Sequence, residues 1–286
     1  MTGTIATRWR ELFAVIVAAG LWAPTVAELA RAWQNDTYAG HGPFVPLFSA
    51  LIVWMRRGRL KEAAGPSDPA GFAVLLAAAA LLGLGVWRDS LLLKGGSIVV
   101  AAAGLVQWSF GTACLRAAAF PVGFLLLMVP LPHSVVAAVT QQVQLFAATF
   151  AVSVLRHLDV PVHQNGVLIE LPATTLKVGE VCNGLRFLMA LLVLTAAFAE
   201  VTQKSLARKI TLVVAAIPIA IVANATRVAT ILLAVQWVGP EAAQGTIHNW
   251  IGKGVWAATL IPLVVLAYLL VRVGASQPPR LEEGVV

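Results

Sequence analysis

Charged residues are scarce in this chain of 286 residues: they make up 12%, whereas 59% are hydrophobic and the mean hydropathy is +0.85. Soluble domains carry about 25% charged residues, so the composition excludes an ordinary soluble protein. Apolar segments recur along nearly the whole chain and leave no stretch long enough for a separate soluble domain. We therefore expect one membrane domain over residues 1–274, followed by a short polar cytoplasmic tail over residues 275–286.

Cysteine is also scarce, with only Cys114 and Cys182. The hydropathy pattern separates them by most of a hydrocarbon core about 30 Å thick, which excludes a disulfide between them.

The chain lacks zinc-ligand spacing, a P-loop, a glycine-rich dinucleotide turn and a Gly-x-Ser-x-Gly elbow, so we expect no metal and no cofactor. Its net charge of +7 lies in short clusters rather than on a continuous face, so we expect no nucleic-acid partner.

The apolar runs predict eight membrane-spanning helices, because about 20 apolar residues cross the hydrocarbon core. The run from Leu12 to Ala30 is as long as a span and lacks a clear cleavage site, so we expect it to remain as a helix. The predicted spans are residues 12–33, 43–55, 70–88, 95–114, 117–131, 183–203, 210–237 and 250–273. The second and fifth are short and contain prolines, so they need flanking residues or a locally thinner bilayer.

Basic clusters orient these spans, since loops rich in Lys and Arg stay in the cytoplasm. The strongest clusters run from Arg56 to Lys61 and from Lys204 to Lys209. They fit eight crossings of the cytoplasmic (inner) membrane with both termini in the cytoplasm. The pattern therefore predicts a multi-pass protein of that membrane.

Two segments remain outside these spans. If the apolar stretch from Val135 to Leu155 crossed the membrane, the last three spans would invert, so we expect an interfacial helix that covers the site on the outer side. The section from Val162 to Val178 alternates apolar and polar residues around an Asn-Gly turn, which predicts a small extracytoplasmic hairpin. The predicted fold class is an all-α polytopic membrane protein with about eight transmembrane helices, one interfacial helix and this hairpin.

Three reactive side chains, Cys182, Arg227 and His248, belong to the last three predicted spans. Arg227 lies eighteen residues beyond Lys209, a rise of about 27 Å, which brings it close to the outer surface. Cys182 opens its span from the outside, and His248 precedes Trp250, an interfacial type of residue. All three are therefore expected at the extracytoplasmic face, although the sequence leaves their lateral contacts open.

A thiol, a guanidinium and an imidazole are sufficient for acyl transfer. Cys182 would be the nucleophile, and Arg227 would hold a carboxylate or carbonyl or stabilise an oxyanion. His248 would act as general base and acid. A helix N-terminus favours the thiolate, and Arg186 lies one turn beyond the cysteine.

Each of these residues also has a structural interpretation. Cys182 would then be a small buried hydrophobe, and His248 an ordinary interfacial histidine. Arg227 would snorkel to the outer interface or pair with Glu170 or Glu180. Because an intramembrane arginine is costly unless it is paired or hydrated, function is the default for Arg227.

These motifs resemble the exosortase/archaeosortase family of multi-pass membrane cysteine transpeptidases. The resemblance rests on Glu180-Val-Cys-Asn-Gly-Leu-Arg186, on Asn224-Ala-Thr-Arg227, on His248 and on Tyr38-Ala-Gly-His-Gly-Pro43. It implies that Cys182, Arg227 and His248 are catalytic. The supporting candidates within these motifs are His41, Asn183, Gly184, Arg186 and Asn224.

The resemblance also implies a function. Such a protein cleaves C-terminal sorting signals of exported proteins, made of a Pro-Glu-Pro-type (PEP-CTERM) motif and a transmembrane helix. An acyl-enzyme on the cysteine then transfers the protein to a surface amine or glycan acceptor, linking sorting to exopolysaccharide production. The expected partners are membrane-anchored substrates with such tails and the lipid bilayer. Two alternatives remain open: a non-enzymatic polytopic component of exopolysaccharide export or assembly, and a protease whose acyl-enzyme is resolved by water.

Overall fold

The computed structural model of the chain describes residues 2–172, 174–181 and 184–275. In these ranges the chain forms eleven α-helices, two 3-10 helices and one three-stranded antiparallel sheet. The chain divides into two compact units, Met1–His133 and Ser134–Val286. Cys182 and Asn183, both predicted as site residues, lie outside the described residues, as does most of the predicted tail, residues 276–286.

The first unit is helical throughout its regular structure. Its elements are α1 (Thr2–Asn35), α2 (Phe44–Met55), α3 (Arg57–Ala63), α4 (Ala70–Trp87), α5 (Leu91–Ala117), α6 (Ala119–Phe124) and a 3-10 helix (Leu125–Met128). Glycines allow α4 and α5 to approach closely: a Cβ on Gly71 would lie 2.3 Å from the backbone nitrogen of Trp108. Small residues at a helix contact are the usual solution in membranes, where no hydrophobic effect drives helices together.

A break at Gly111 interrupts α5 near its end. Its φ of 82° is readily adopted only by glycine, and a Cβ there would lie 2.9 Å from the Pro66 carbonyl oxygen. The Gly65 N–H donates to the Phe110 carbonyl oxygen at 2.9 Å. The loop that precedes α4 therefore packs into the break in α5.

Polar side chains join α1 to α5 inside the first unit. Lys94 Nζ lies 2.6 Å from Glu28 Oε2 and 3.2 Å from Asp89 Oδ1. Trp22 Nε1 donates to Ser97 Oγ at 2.8 Å. These partners offset the cost of removing the polar groups from water, so α1 is fixed against α5 by paired groups.

The second unit contains longer helices and the sheet. Its elements are α7 (His133–His157), β1 (His163–Asn165), β2 (Leu168–Leu171), β3 (Thr174–Lys177), α8 (Val178–Val181), α9 (Gly184–Thr202), α10 (Leu206–Val238), a 3-10 helix (Pro240–Ala243) and α11 (Gly245–Ala275). One buried cluster joins Ala148 and Leu155 of α7, Ile169 of β2, and Val228 and Ile231 of α10. The C-terminal half of α10 is therefore held between α7 and the sheet.

The structure confirms an all-α, multi-pass fold. Within the described part of the chain, six helices are long and apolar enough to cross a membrane: α4, α5, α7, α9, α10 and α11. All but α7 match predicted spans, and the predicted span 12–33 lies within α1. The predicted spans 43–55 and 117–131 form shorter apolar helices. The 12 residues of α2 rise only about 18 Å, so the count of eight crossings stays a prediction.

Both segments outside the predicted spans contain regular secondary structure among the described residues. α7 has 25 residues and could cross by length and composition, so its interfacial position stays a prediction. The hairpin is confirmed and extended by a third strand, because β2 also pairs with β3. Its turn is shifted by one residue: Asn165 pairs with Leu168, and Gly166 takes the first central position with a φ of 60°, where such turns favour glycine.

Candidate active site

Arg227 and His248 meet in the second unit. Arg227 lies in α10, His248 lies in the first turn of α11, and Arg227 Nη2 is 2.9 Å from His248 Nε2. A guanidinium carries only N–H donors, so Arg227 donates and His248 Nε2 accepts. In this arrangement the imidazole is neutral and carries its proton on Nδ1.

The other nitrogen of the imidazole, Nδ1, points into the protein. Nδ1 is buried and makes no hydrogen bond of ordinary geometry to the described residues, and the backbone of Ala243 lies beside it. Ala243 ends the 3-10 helix that connects α10 to α11. This short connection therefore positions the ring while leaving Nε2 directed at Arg227.

A glycine on α11 makes room for the guanidinium. A Cβ on Gly252 would lie 3.2 Å from Arg227 Nη2 and 3.4 Å from its Cζ. Gly252 follows His248 by four residues, so both lie on one face of α11. Gly252 is not among the residues predicted from the sequence, where its only signal is that spacing.

The start of α9 packs against the turn of α10 that carries the arginine. A Cβ on Gly184 would lie 2.7 Å from Asn224 Nδ2 and 2.7 Å from Val143 Cγ1. Asn224 is only 2% exposed and precedes Arg227 by three residues, which places the two on neighbouring positions of one helix face. Two supporting candidates, Gly184 and Asn224, are thus brought to the Arg227 region.

Helix α7 contacts the chain on both sides of residues 182–183. Val143 packs against Gly184, and a Cβ on Gly179 in α8 would lie 2.8 Å from Gln144 Nε2. These two neighbouring residues of α7 therefore border the segment that carries the predicted nucleophile.

An ion pair fixes the opposite end of α9 and α10. Lys209 Nζ lies 2.7 Å from Glu200 Oε2, and the glutamate side chain is 2% exposed. The contact between Gly184 and Asn224 is about 24 Å away along α9 and about 22 Å away along α10. Because these rises agree, the ion pair and the glycine contact hold the two helices in one register.

Two other charged residues considered from the sequence are not connected to Arg227 and His248. Arg186 and Glu170 are exposed, and Glu170 lies opposite His163 in the sheet. Among the described residues, no hydrogen bond or ion pair connects either of them to Arg227. A supporting role for Arg186 stays a prediction.

His41 belongs to the first unit and has a partner there. Its Nε2 lies 3.0 Å from the Leu127 carbonyl oxygen, which can only accept, so Nε2 donates. Burial lowers the pKa of His41, although its backbone hydrogen bonds and Asp36 act in the opposite direction. Next to it, Gly42 packs so closely on the Trp33 indole that a Cβ would lie 2.1 Å from Trp33 Nε1. These contacts give His41 a structural role, and its contact with substrate stays a prediction.

The comparisons agree with the geometry. Residues 33–268 match the family described as transmembrane exosortase (Exosortase_EpsH). Comparison with curated proteins and with solved structures finds no match. The matched range includes the 182–183 segment, Arg227, His248 and every complete helix from α2 to α10. The chain therefore belongs to the transmembrane exosortase family and is a multi-pass membrane protein.

Proposed function

We propose that this protein is a membrane-embedded cysteine peptidase and transpeptidase. It cleaves C-terminal sorting signals, a Pro-Glu-Pro-type motif followed by a transmembrane helix, at the outer face of the cytoplasmic membrane. The observation that carries the proposal is the 2.9 Å contact between Arg227 and His248, made beside the helix start that follows Cys182. Membership of the exosortase family supports the same assignment.

Cys182 is the proposed nucleophile because of its place in the chain. It precedes Gly184 by two residues, a reach of at most about 7.2 Å between Cα atoms, and Gly184 packs on Asn224 in the Arg227 turn. A thiol in this region would have a guanidinium and an imidazole as neighbours, which is the chemistry that acyl transfer needs.

The proposed reaction begins when His248 takes the thiol proton and the sulfur attacks the scissile carbonyl carbon. Arg227 stabilises the resulting oxyanion through its N–H donors. The C–N bond then breaks, and His248 returns the proton to the leaving amine of the transmembrane tail. An amine acceptor attacks the thioester to form a new amide and release the cysteine, whereas attack by water gives a carboxylate.

The observed hydrogen bond adds a requirement to this scheme. His248 Nε2 accepts from Arg227, so its lone pair is occupied and cannot take a thiol proton through that nitrogen. Substrate would have to draw the guanidinium away, because a carboxylate is a stronger acceptor for it than a neutral imidazole. Binding of substrate would thus release the general base.

The test is co-expression with a reporter that ends in a Pro-Glu-Pro-type tail, followed by size and mass. We expect the wild type to remove the tail and Cys182→Ala to leave it intact. Cys114→Ala is the matched control, since Cys114 is buried in α5 with its Sγ 3.8 Å from the Leu60 carbonyl oxygen, and it should process normally.

Product mass separates the remaining possibilities. A new amide on the reporter indicates transfer, and a free carboxylate indicates hydrolysis. Equal tail removal by the wild type and Cys182→Ala, or none by either across several tails, would contradict the peptidase and favour a non-enzymatic export component.

A further inference from the structure

An apolar groove lies on the first unit between α1, α4 and α5. Its volume is about 620 Å³, and its lining includes Val17, Leu21, Trp22, Phe72, Leu76 and Trp108. α4 and α5 are both long and apolar enough to span a membrane, so the groove lies at the depth of the hydrocarbon core. Only an apolar occupant, or one that satisfies its own polar groups, fits at that depth.

A basic helix lies at one end of this groove. α3 exposes Arg57, Arg59 and Lys61 and has no buried residue. The Arg57 guanidinium lies 4.7 Å from the centre of the Trp54 ring, and Trp54 is 61% exposed. An exposed tryptophan beside arginine is typical of a membrane interface, so α3 presents its positive charges at the level of the lipid headgroups.

Contacts with α5 show that helix and groove adjoin. The Cys114 thiol approaches the Leu60 carbonyl oxygen in α3 at 3.8 Å, and Gly65 just after α3 bonds to Phe110. Trp108 precedes Phe110 by two residues, and its ring lies 6.2 Å from that of Phe72 at the start of α4. The aromatic end of the groove therefore opens next to α3.

We propose that this surface binds one anionic phospholipid. An acyl chain occupies the groove, and the headgroup phosphate lies against the basic side chains of α3. Arginine is well suited to the phosphate because its guanidinium donates two parallel hydrogen bonds. An anionic lipid combines the two features that the surface offers, a long apolar chain and a negative charge at its interfacial end. The inference is independent of the peptidase proposal.

Native mass spectrometry of the full chain in detergent tests the inference, with phosphatidylglycerol and phosphatidylcholine of identical acyl chains added in equal amounts. We expect the wild type to retain one phosphatidylglycerol in preference to phosphatidylcholine. Arg57→Gln should lower that preference about fivefold, the effect of one basic charge near an anionic headgroup. Arg88→Gln is the matched control because Arg88 also stacks on an exposed tryptophan, Trp87, at 4.8 Å but lies at the opposite end of α4. It should leave the preference unchanged.

A second pair of variants tests the groove. Ala79→Phe fills it, since Ala79 is among its lining residues, and should weaken retention of both lipids. Ala77→Phe is the control, since Ala77 is exposed on α4 but outside the lining. Quenching of tryptophan fluorescence by acyl-brominated phosphatidylglycerol gives a second readout that leaves the groove unfilled, and Trp108→Phe should reduce it. Equal retention of both lipids by the wild type, equal effects of Arg57→Gln and Arg88→Gln, or unchanged quenching in Trp108→Phe would each overturn the inference.

Discussion

Both units place charged side chains within apolar helices, but Lys94 in the first unit and Arg227 in the second have different kinds of partner. In the first unit, Lys94 pairs with Glu28 and Asp89, so a cation meets carboxylates. In the second unit, Arg227 donates to a neutral imidazole, and among the described residues no carboxylate pairs with it. A cation with a neutral partner keeps its charge for another ligand, whereas an ion pair neutralises it. The difference separates a fixed structural contact from one that, in the proposed reaction, stabilises an anionic transition state.

Of the variants that test this comparison, Arg227→Lys has the largest expected effect. We expect tail processing to fall by about 10²- to 10³-fold, the usual cost of losing one oxyanion donor, because an ammonium lacks the planar fork of donors. The melting temperature should change little, since the lost partner is a neutral ring. Initial rates of reporter cleavage and thermal melts measure the two effects.

Arg156→Lys is the control for that variant, because Arg156 is exposed near the end of α7 and is not among the predicted site residues. Processing by Arg227→Lys within threefold of the wild type would show that the arginine is not needed at the reacting carbonyl.

The Lys209–Glu200 ion pair in the second unit should behave as Lys94 does in the first. Lys209→Met leaves a carboxylate that is 2% exposed without its cation, which costs on the order of 3 kcal/mol of stability. Chemical denaturation in detergent measures the loss. The double variant Lys209→Met with Glu200→Leu should recover most of it, since apolar replacement of a buried pair is often neutral. A double variant as unstable as the single one would show that the carboxylate left behind in Lys209→Met is not the cause of the lost stability.

A smaller and more selective effect is expected for Gly252→Ala. The new methyl group would lie 3.2 Å from Arg227 Nη2, so the guanidinium must shift, and we expect processing to fall about tenfold. Stability should not fall, because alanine is the better helix former by about 1 kcal/mol. Gly254→Ala is the matched control, since a Cβ there meets nothing within 4 Å. Equal cleavage rates for the two variants would show that the guanidinium position does not limit the reaction.

These sites also show what the sequence could predict. Hydropathy located α4, α5, α9, α10 and α11 because apolar length is a direct requirement of the bilayer. The position of Arg227 along its helix followed from the rise per residue, but its contact with His248 did not, because one sequence does not give the order of helices in the membrane plane.

The features that the sequence did not predict have different physical causes, and one of them depends on a neighbouring helix. The absence of a side chain at Gly252 matters only because Arg227 lies opposite it, and nothing in the sequence around Gly252 indicates that contact. The position of α7 was ambiguous for another reason, since a spanning helix and an interfacial helix can share length and composition. The third strand was not predicted because Pro172-Ala173, the residues between β2 and β3, are not a typical hairpin-turn sequence.

The smallest expected effect concerns His41, and it tests whether this histidine belongs with the structural contacts of the first unit. Burial lowers the pKa of His41 below its ordinary value of 6.5, so the folded state favours the neutral ring, which donates to Leu127. The contribution of the neutral His41 ring to stability is therefore complete above about pH 6.5 and is lost as the pH falls below that value, because the unfolded chain then binds the proton more readily.

His41→Asn, which does not titrate, should show a weaker fall in melting temperature between pH 7.5 and 5.5 than the wild type. Because His41 acts here through structure, reporter cleavage at pH 7.5 should decline only as far as the fraction of folded protein declines. A pH dependence of stability identical to the wild type, combined with a large loss of cleavage, would instead move His41 from the structural contacts to the substrate site.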